Sequence, residues 1–342
     1  MNPTWREFLG AAGARFNDAL VSAQVTDFGD PQAELAAARD ATILAPLTHL
    51  GLIECAGDDA KSFLHGQLTS DVNHLAAGQT QHSAWCSAKG RMLASFLTCR
   101  EDSAYLLQVA ADLAPTVAKR LQMFVPRAQV KIADLSGSRM ALGVAGDQAE
   151  AALVAAGLPV PAAAMQMESA AGATVIRLDG KRFIVLVGVE LAAACWRQLA
   201  VHARAVGTPA WQWLDVQAGL PLITAATKEE FVPQMANFEQ IGAVSFHKGC
   251  YPGQEIVART QYLGKVKRHL YRLRSSDAMA AGDDLFSPEN PEQPSGKIVT
   301  AAPSPQGGYE ALAVVQENHT TQGELHLGSL TGSRLEFSPV TP

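Results

Sequence analysis

Lys248-Gly249-Cys250-Tyr251-Pro252-Gly253-Gln254-Glu255 sets a lone cysteine between a basic pair, His247-Lys248, and a Gly-Gln-Glu turn. Positive charge two residues before the sulfur favours a thiolate. The run Gln254 to Arg259 reads as a helix whose positive N-terminal end lies close to that sulfur. Glu255 and Arg259 are spaced to pair across one helical turn. On these residues alone two readings stay open: an activated thiol, or a small buried apolar residue, which is how most free cysteines behave.

The surrounding composition narrows the class of protein. With 342 residues, 48% of them hydrophobic, the chain is long enough for two or three domains with substantial cores. A net charge of -6 gives no global attraction to nucleic acid or to anionic membrane. The local exception is a run of Lys265, Lys267, Arg268, Arg272 and Arg274, which fits either a tRNA contact or a solvated strand face. Met1 to Gly10 lacks the order of a signal peptide, and no apolar run reaches membrane-spanning length, so a cytoplasmic protein with no membrane contact is expected. The five cysteines are scattered and never spaced Cys-x-x-Cys, and the nine histidines show no ligand spacing. Reduced thiols and no metal site are the expectation.

Outward from the octapeptide, residues 50 to 134 read as strand, helix, hairpin strands, helix, strand. A second round runs from Arg139 to Ala205, with a hairpin turning at Asp179-Gly180 and a closing helix from Glu190 to Ala205. The repetition predicts two ferredoxin-like units of an α+β fold. After a helix around Trp211 and Trp213, residues 221 to 247 show little periodicity and read as a long functional loop. Beyond Gly264, short strands broken by proline and glycine predict a small C-terminal β-barrel. The expected domains are 25–135 with 208–262, then 136–207, then 263–342.

The octapeptide also resembles the signature of the YgfZ-type folate-binding proteins, relatives of the glycine cleavage T-protein. The likeness extends to Phe231-Val232-Pro233-Gln234, Asn237, Val244-Ser245-Phe246 and Ala258-Arg259-Thr260, with weaker echoes at Gly66 to Val72, Ala88 to Met92 and Ala218 to Pro221. This resemblance implies the two units and the barrel arranged around a central folate-binding funnel. It also implies Cys250 as the working residue with Lys248, Tyr251 and Glu255, and Gly249, Gly253, Gln254 and Arg259 as the frame of the motif. Trp213, Gln217, Gln234 and Asn237 are the implied folate contacts. Gln217 lies where T-proteins carry a pterin-binding glutamate, so Gln217→Glu is expected to tighten folate binding.

T-protein relatives transfer a one-carbon unit with an acid pair on the strand that here reads Gly90 to Phe96. Ala94 and Ser95 stand at those places, and neither is a carboxylate. Asp71 and Asp102 are the nearest acids. The resemblance therefore implies a factor that binds tetrahydrofolate, or a derivative, and assists iron-sulfur proteins or their assembly machinery, including cluster-dependent tRNA-modifying enzymes. It implies a monomer, and no active aminomethyltransferase. The alternatives are a tetrahydrofolate-dependent methyl or aminomethyl transferase, and a tRNA- or partner-binding module that uses Lys265, Lys267 and Arg268.

Overall fold

The computed structural model of the chain describes residues 1–19, 23–125, 128–262, 264, 266–317 and 323–340. The described chain divides into two compact units. The first holds Met1–Phe63, His74–Gln81 and Leu97–Trp211, and the second holds Leu64–Asn73, His82–Phe96 and Gln212–Pro342.

The expected α+β character is present throughout. One five-stranded sheet has the order Thr80–Cys86, Met92–Arg100, Ala104–Ala110, Leu50–Ala56, Lys131–Asp134, and its first two strands change unit along their length. Leu50–Ala56 pairs antiparallel with both Ala104–Ala110 and Lys131–Asp134, placing Leu52 opposite Gln108.

A six-stranded sheet lies within the first unit. Its order is Met167–Ala170, Ala173–Arg177, Arg182–Gly188, Arg139–Ala145, Ile43–Pro46, Arg204–Ala205. The turn expected at Asp179-Gly180 forms because the Asp179 carboxylate accepts from the amides of Lys181 and Arg182, both at 2.9 Å, which reverses the chain between the paired strands Ala173–Arg177 and Arg182–Gly188. Ile43–Pro46 joins this sheet from far upstream, antiparallel to Arg139–Ala145. The closing helix is shorter than expected. It spans Val189–Leu199 and ends at its last buried leucine; Val201 is exposed, and Arg204–Ala205 pairs instead with Ile43 and Leu44. Helix and sheet bury Leu44, Val144, Phe183, Trp196 and Leu199 in one core with Trp5 and Leu9 of the first helix.

The C-terminal strands form a six-stranded half-barrel sheet within the second unit. Its order is His326–Leu327, Asp284–Phe286, Gly296–Pro303, Tyr309–Gln316, Arg268–Ser275, Glu336–Pro339. Leu273, Leu285, Ile298, Ala313 and Leu335 fill its inner face. Residues 221–247 are largely irregular, as expected, and contain one 3-10 turn, Pro233–Ala236.

Candidate functional site

The octapeptide lies in the second unit, and its parts separate by what they touch. Gln254–Tyr262 is the expected helix. It starts after Gly253, whose φ of +80° is disfavoured for any other residue; a Cβ there would lie 2.4 Å from the Ser87 carbonyl oxygen and 2.7 Å from the Cα of Gly90. Gly90 has a φ of +71° and leaves no more room, since a Cβ on it would lie 2.9 Å from the Ile256 side chain. Two stretches quoted for the resemblance, Ala88 to Met92 and the octapeptide, therefore meet backbone to backbone.

Lys248 is buried, and its ammonium is directed at main-chain oxygens. It donates to the carbonyls of His65, of Leu68 at 2.5 Å and of Ser70 at 3.0 Å. These oxygens belong to the end of the helix Ala60–Gln67 and the turn after it, where carbonyls lack helical partners and a cation is favoured. Burial pushes Lys248 down to about 8, and the Asp71 carboxylate pulls it back up. Three carbonyl dipoles aimed at the ammonium also favour its charged form. The lysine read from sequence as support for the thiolate is thus the tie between the octapeptide and Gly66 to Val72. Its ammonium also lies 5.0 Å from the centroid of the buried Tyr251 ring, whose phenol is pushed up by burial.

Thr69 extends the tie. Its hydroxyl donates to the Ala243 carbonyl at 2.6 Å and accepts from the Ala84 amide, while its own carbonyl accepts from the Ser245 amide. Ser70 and Ser83 share a hydroxyl contact. Asp71 lies 3.3 Å from His65, whose Nε2 is 3.8 Å from where a Cβ on Gly249 would sit.

Cys250 stands exposed on this tied loop, beside the exposed His247. The other four cysteines are buried, and burial pushes Cys55, Cys86 and Cys99 up to about 12 and Cys195 up to about 11. Glu255 and Arg259 are both exposed, and no ion pair joins them among the described residues. Solvent competes for both charges, so the spacing alone does not bring them together.

The implied folate contacts differ in how they are engaged. Trp213 is buried, and its indole Nε1 lacks a partner among the described residues. Gln234 and Asn237 are buried with Oε1 and Oδ1 lacking partners among the described residues, although Gln234 donates through Nε2 to the Val257 carbonyl at 2.7 Å. Each of these three buried side chains thus carries a polar atom without a partner among the described residues, which is costly. Gln217 is already engaged: its side-chain amide donates to Glu310 at 2.5 Å, and its main-chain carbonyl accepts from Arg272 at 2.7 Å. Glu310, 93 residues away, carries no sequence signal that would have linked it to Gln217.

Ala94 and Ser95 are buried on the strand Met92–Arg100, and Ser95 holds the long loop by accepting from the Ile223 amide at 3.0 Å. Asp102 is exposed in a bend. Of the basic run, Lys267 and Arg268 join Arg259 around a hollow of about 470 Å³ with Met235 and Ile256 among its walls; Lys265 lies outside the described residues. No His, Cys, Asp or Glu cluster suited to a metal ion occurs among the described residues, and none of their helices is long and apolar enough to cross a membrane.

Residues 6–244 match the family model of the GCVT N-terminal domain. The chain is 34% identical over 259 residues to the tRNA-modifying protein YgfZ of Klebsiella pneumoniae (strain 342), covering 75% of this chain and 79% of that protein. The chain belongs to the YgfZ family. Its likeness to the YgfZ of Escherichia coli O127:H6 is 30% over 292 residues, 84% of this chain and 89% of that one. The crystal structure of glycine cleavage system aminomethyltransferase T from Bartonella henselae superposes with a TM-score of 0.82, covering 99% of this chain and 97% of that one. At 21% identity this shows a shared aminomethyltransferase fold, not a shared reaction. In this YgfZ-family chain the octapeptide is held at Lys248 and Gly253 and leaves Cys250 to solvent.

Proposed function

We propose that this chain is a folate-binding factor that assists the assembly or repair of iron-sulfur proteins, cluster-dependent tRNA-modifying enzymes among them, through the thiol of Cys250. The observation that carries the reading is the contrast between one exposed cysteine on an anchored loop and four buried ones. Packing does not account for a thiol in solvent, whereas exchange with a client or transient contact with its cluster requires one. The names of the relatives, tRNA-modifying proteins, support the client class.

Folate binding is supported by the orphaned atoms of Trp213, Gln234 and Asn237, which would meet the ring edges of a bound pterin. A bound folate would supply one-carbon chemistry. Ala94 and Ser95 offer no carboxylate for aminomethyl transfer, so the proposed role is binding and thiol chemistry, carried out in the cytoplasm by a monomer. Tetrahydrofolate should quench tryptophan fluorescence, and Trp213→Phe should remove most of that signal.

The test is complementation of a strain lacking the gene, read as the level of tRNA modifications made by iron-sulfur enzymes. Wild type should restore them and Cys250→Ala should not, although it folds. The hollow beside Arg259, Lys267 and Arg268 favours a second reading, in which tRNA or a partner docks there and Cys250 is passive. If Cys250→Ala complements while Lys267→Glu with Arg268→Glu fails, the second reading replaces the first.

A further inference from the structure

The first unit contains a hollow of about 460 Å³ that takes no part in the Cys250 loop. Its floor includes Leu52 and Gln108, which sit opposite each other on paired central strands, and Trp5, Leu47 and Met140 supply buried apolar wall. Gln108 is only 6% exposed and its Nε2 has no hydrogen-bond partner among the described residues. A buried amide nitrogen with no partner among the described residues is destabilising, and leucine would fill the place without that penalty. The amide nitrogen is thus left for a partner from outside the described residues.

The bordering charges narrow what that partner is. Asp112 and Asp134 line the hollow, and its one basic side chain, Arg139, is paired with Glu101 at 2.6 Å. Two carboxylates disfavour phosphate or carboxylate ligands. A carboxamide presents a donor beside an acceptor, and its terminal torsion is soft enough to turn either end outward. That pattern is matched by heterocycle edges carrying a donor next to an acceptor, as when glutamine pairs with adenine. The volume lies within the range of small-molecule sites, and the apolar walls suit a flat ring.

We propose that this hollow binds an uncharged nucleobase-type heterocycle, as free base or nucleoside, with Gln108 reading the paired donor and acceptor of its ring. The proposal is independent of the Cys250 reading, because Cys250 lies in the other unit.

Adenosine, guanosine, uridine and AMP are titrated calorimetrically against the full chain. At least one nucleoside should saturate, with AMP weaker than adenosine by about tenfold or more. Gln108→Leu should weaken the nucleoside by about tenfold or more while its melting temperature holds or rises by about 2–4 °C, since a buried unpaired amide has been removed. Ala111→Phe, at the half-buried border of the hollow, should block entry independently and covers the case in which Gln108→Leu fails to fold. The proposal is overturned if no nucleoside saturates, if AMP binds as tightly as adenosine, if whichever variants fold bind as wild type does, or if tetrahydrofolate displaces the nucleoside.

Discussion

Gly90 and Gly253 are packed so closely that a methyl group on Gly253 would lie 2.7 Å from the Gly90 Cα. The contact joins the turn after the strand Thr80–Cys86 to the start of the helix Gln254–Tyr262. Gly253→Ala combines that overlap with a disfavoured positive φ and should cost about 2–4 kcal/mol. Chemical denaturation measures the loss. Wild-type stability in Gly253→Ala would mean that the two turns can separate freely.

Cys250 should be the first cysteine to react with iodoacetamide under native conditions. Burial withholds the other four from solvent and holds their thiols near 11 to 12, so each should react about a hundredfold or more slowly at neutral pH. Peptide mass spectrometry over a time course ranks all five. A faster rate at any of the other four would remove the basis for treating Cys250 as the working thiol.

His49 is fully buried and is pushed down from the usual 6.5 to about 4. The unfolded chain therefore binds more protons than the folded one between those values, and stability falls as the pH drops from 6.5 towards 4. The loss attributable to this side chain is up to about 3 kcal/mol. Urea unfolding at a series of pH values should give a visibly flatter dependence for His49→Leu than for wild type. Parallel curves would show that folding leaves the proton affinity of the ring unchanged.

Gln217→Glu would set a second carboxylate against Glu310, where the wild-type amide donates at 2.5 Å. One of the two acids must then stay protonated or the contact must break, so a loss of about 1–3 kcal/mol is expected at pH 7, shrinking as the pH is lowered. Melting curves across pH check this. The stronger folate binding expected from the sequence would appear only if the glutamate turned away from Glu310, and unchanged melting with tighter binding would be the sign of it.

The sequence made the local parts of this site readable. The helix after Gly253, the hairpin at Asp179 and the irregular stretch 221–247 all depend on residues near in the chain, where glycine and asparagine-like turn chemistry leave a pattern. What Lys248 binds left none: its acceptors are backbone oxygens of His65, Leu68 and Ser70, and any residue supplies a carbonyl. The pairing of Gln217 with Glu310 and the pairing of Ile43–Pro46 with a strand almost a hundred residues later are equally silent, because they arise from tertiary packing and not from periodicity. Arg259 and Glu255 show the opposite error, a spacing that suggests a bond which water removes.

Lys248, Tyr251 and Gly253 are held by buried contacts while Cys250 between them is held by none as extensive, so scaffold and payload are separable in this octapeptide. Replacing the sulfur with serine or selenocysteine should leave the mount intact, which makes position 250 a socket for testing what chemistry the cell requires there. Changing the lysine, by contrast, dismantles the mount. A failed Lys248 variant would then report on carpentry, and only position 250 can report on chemistry.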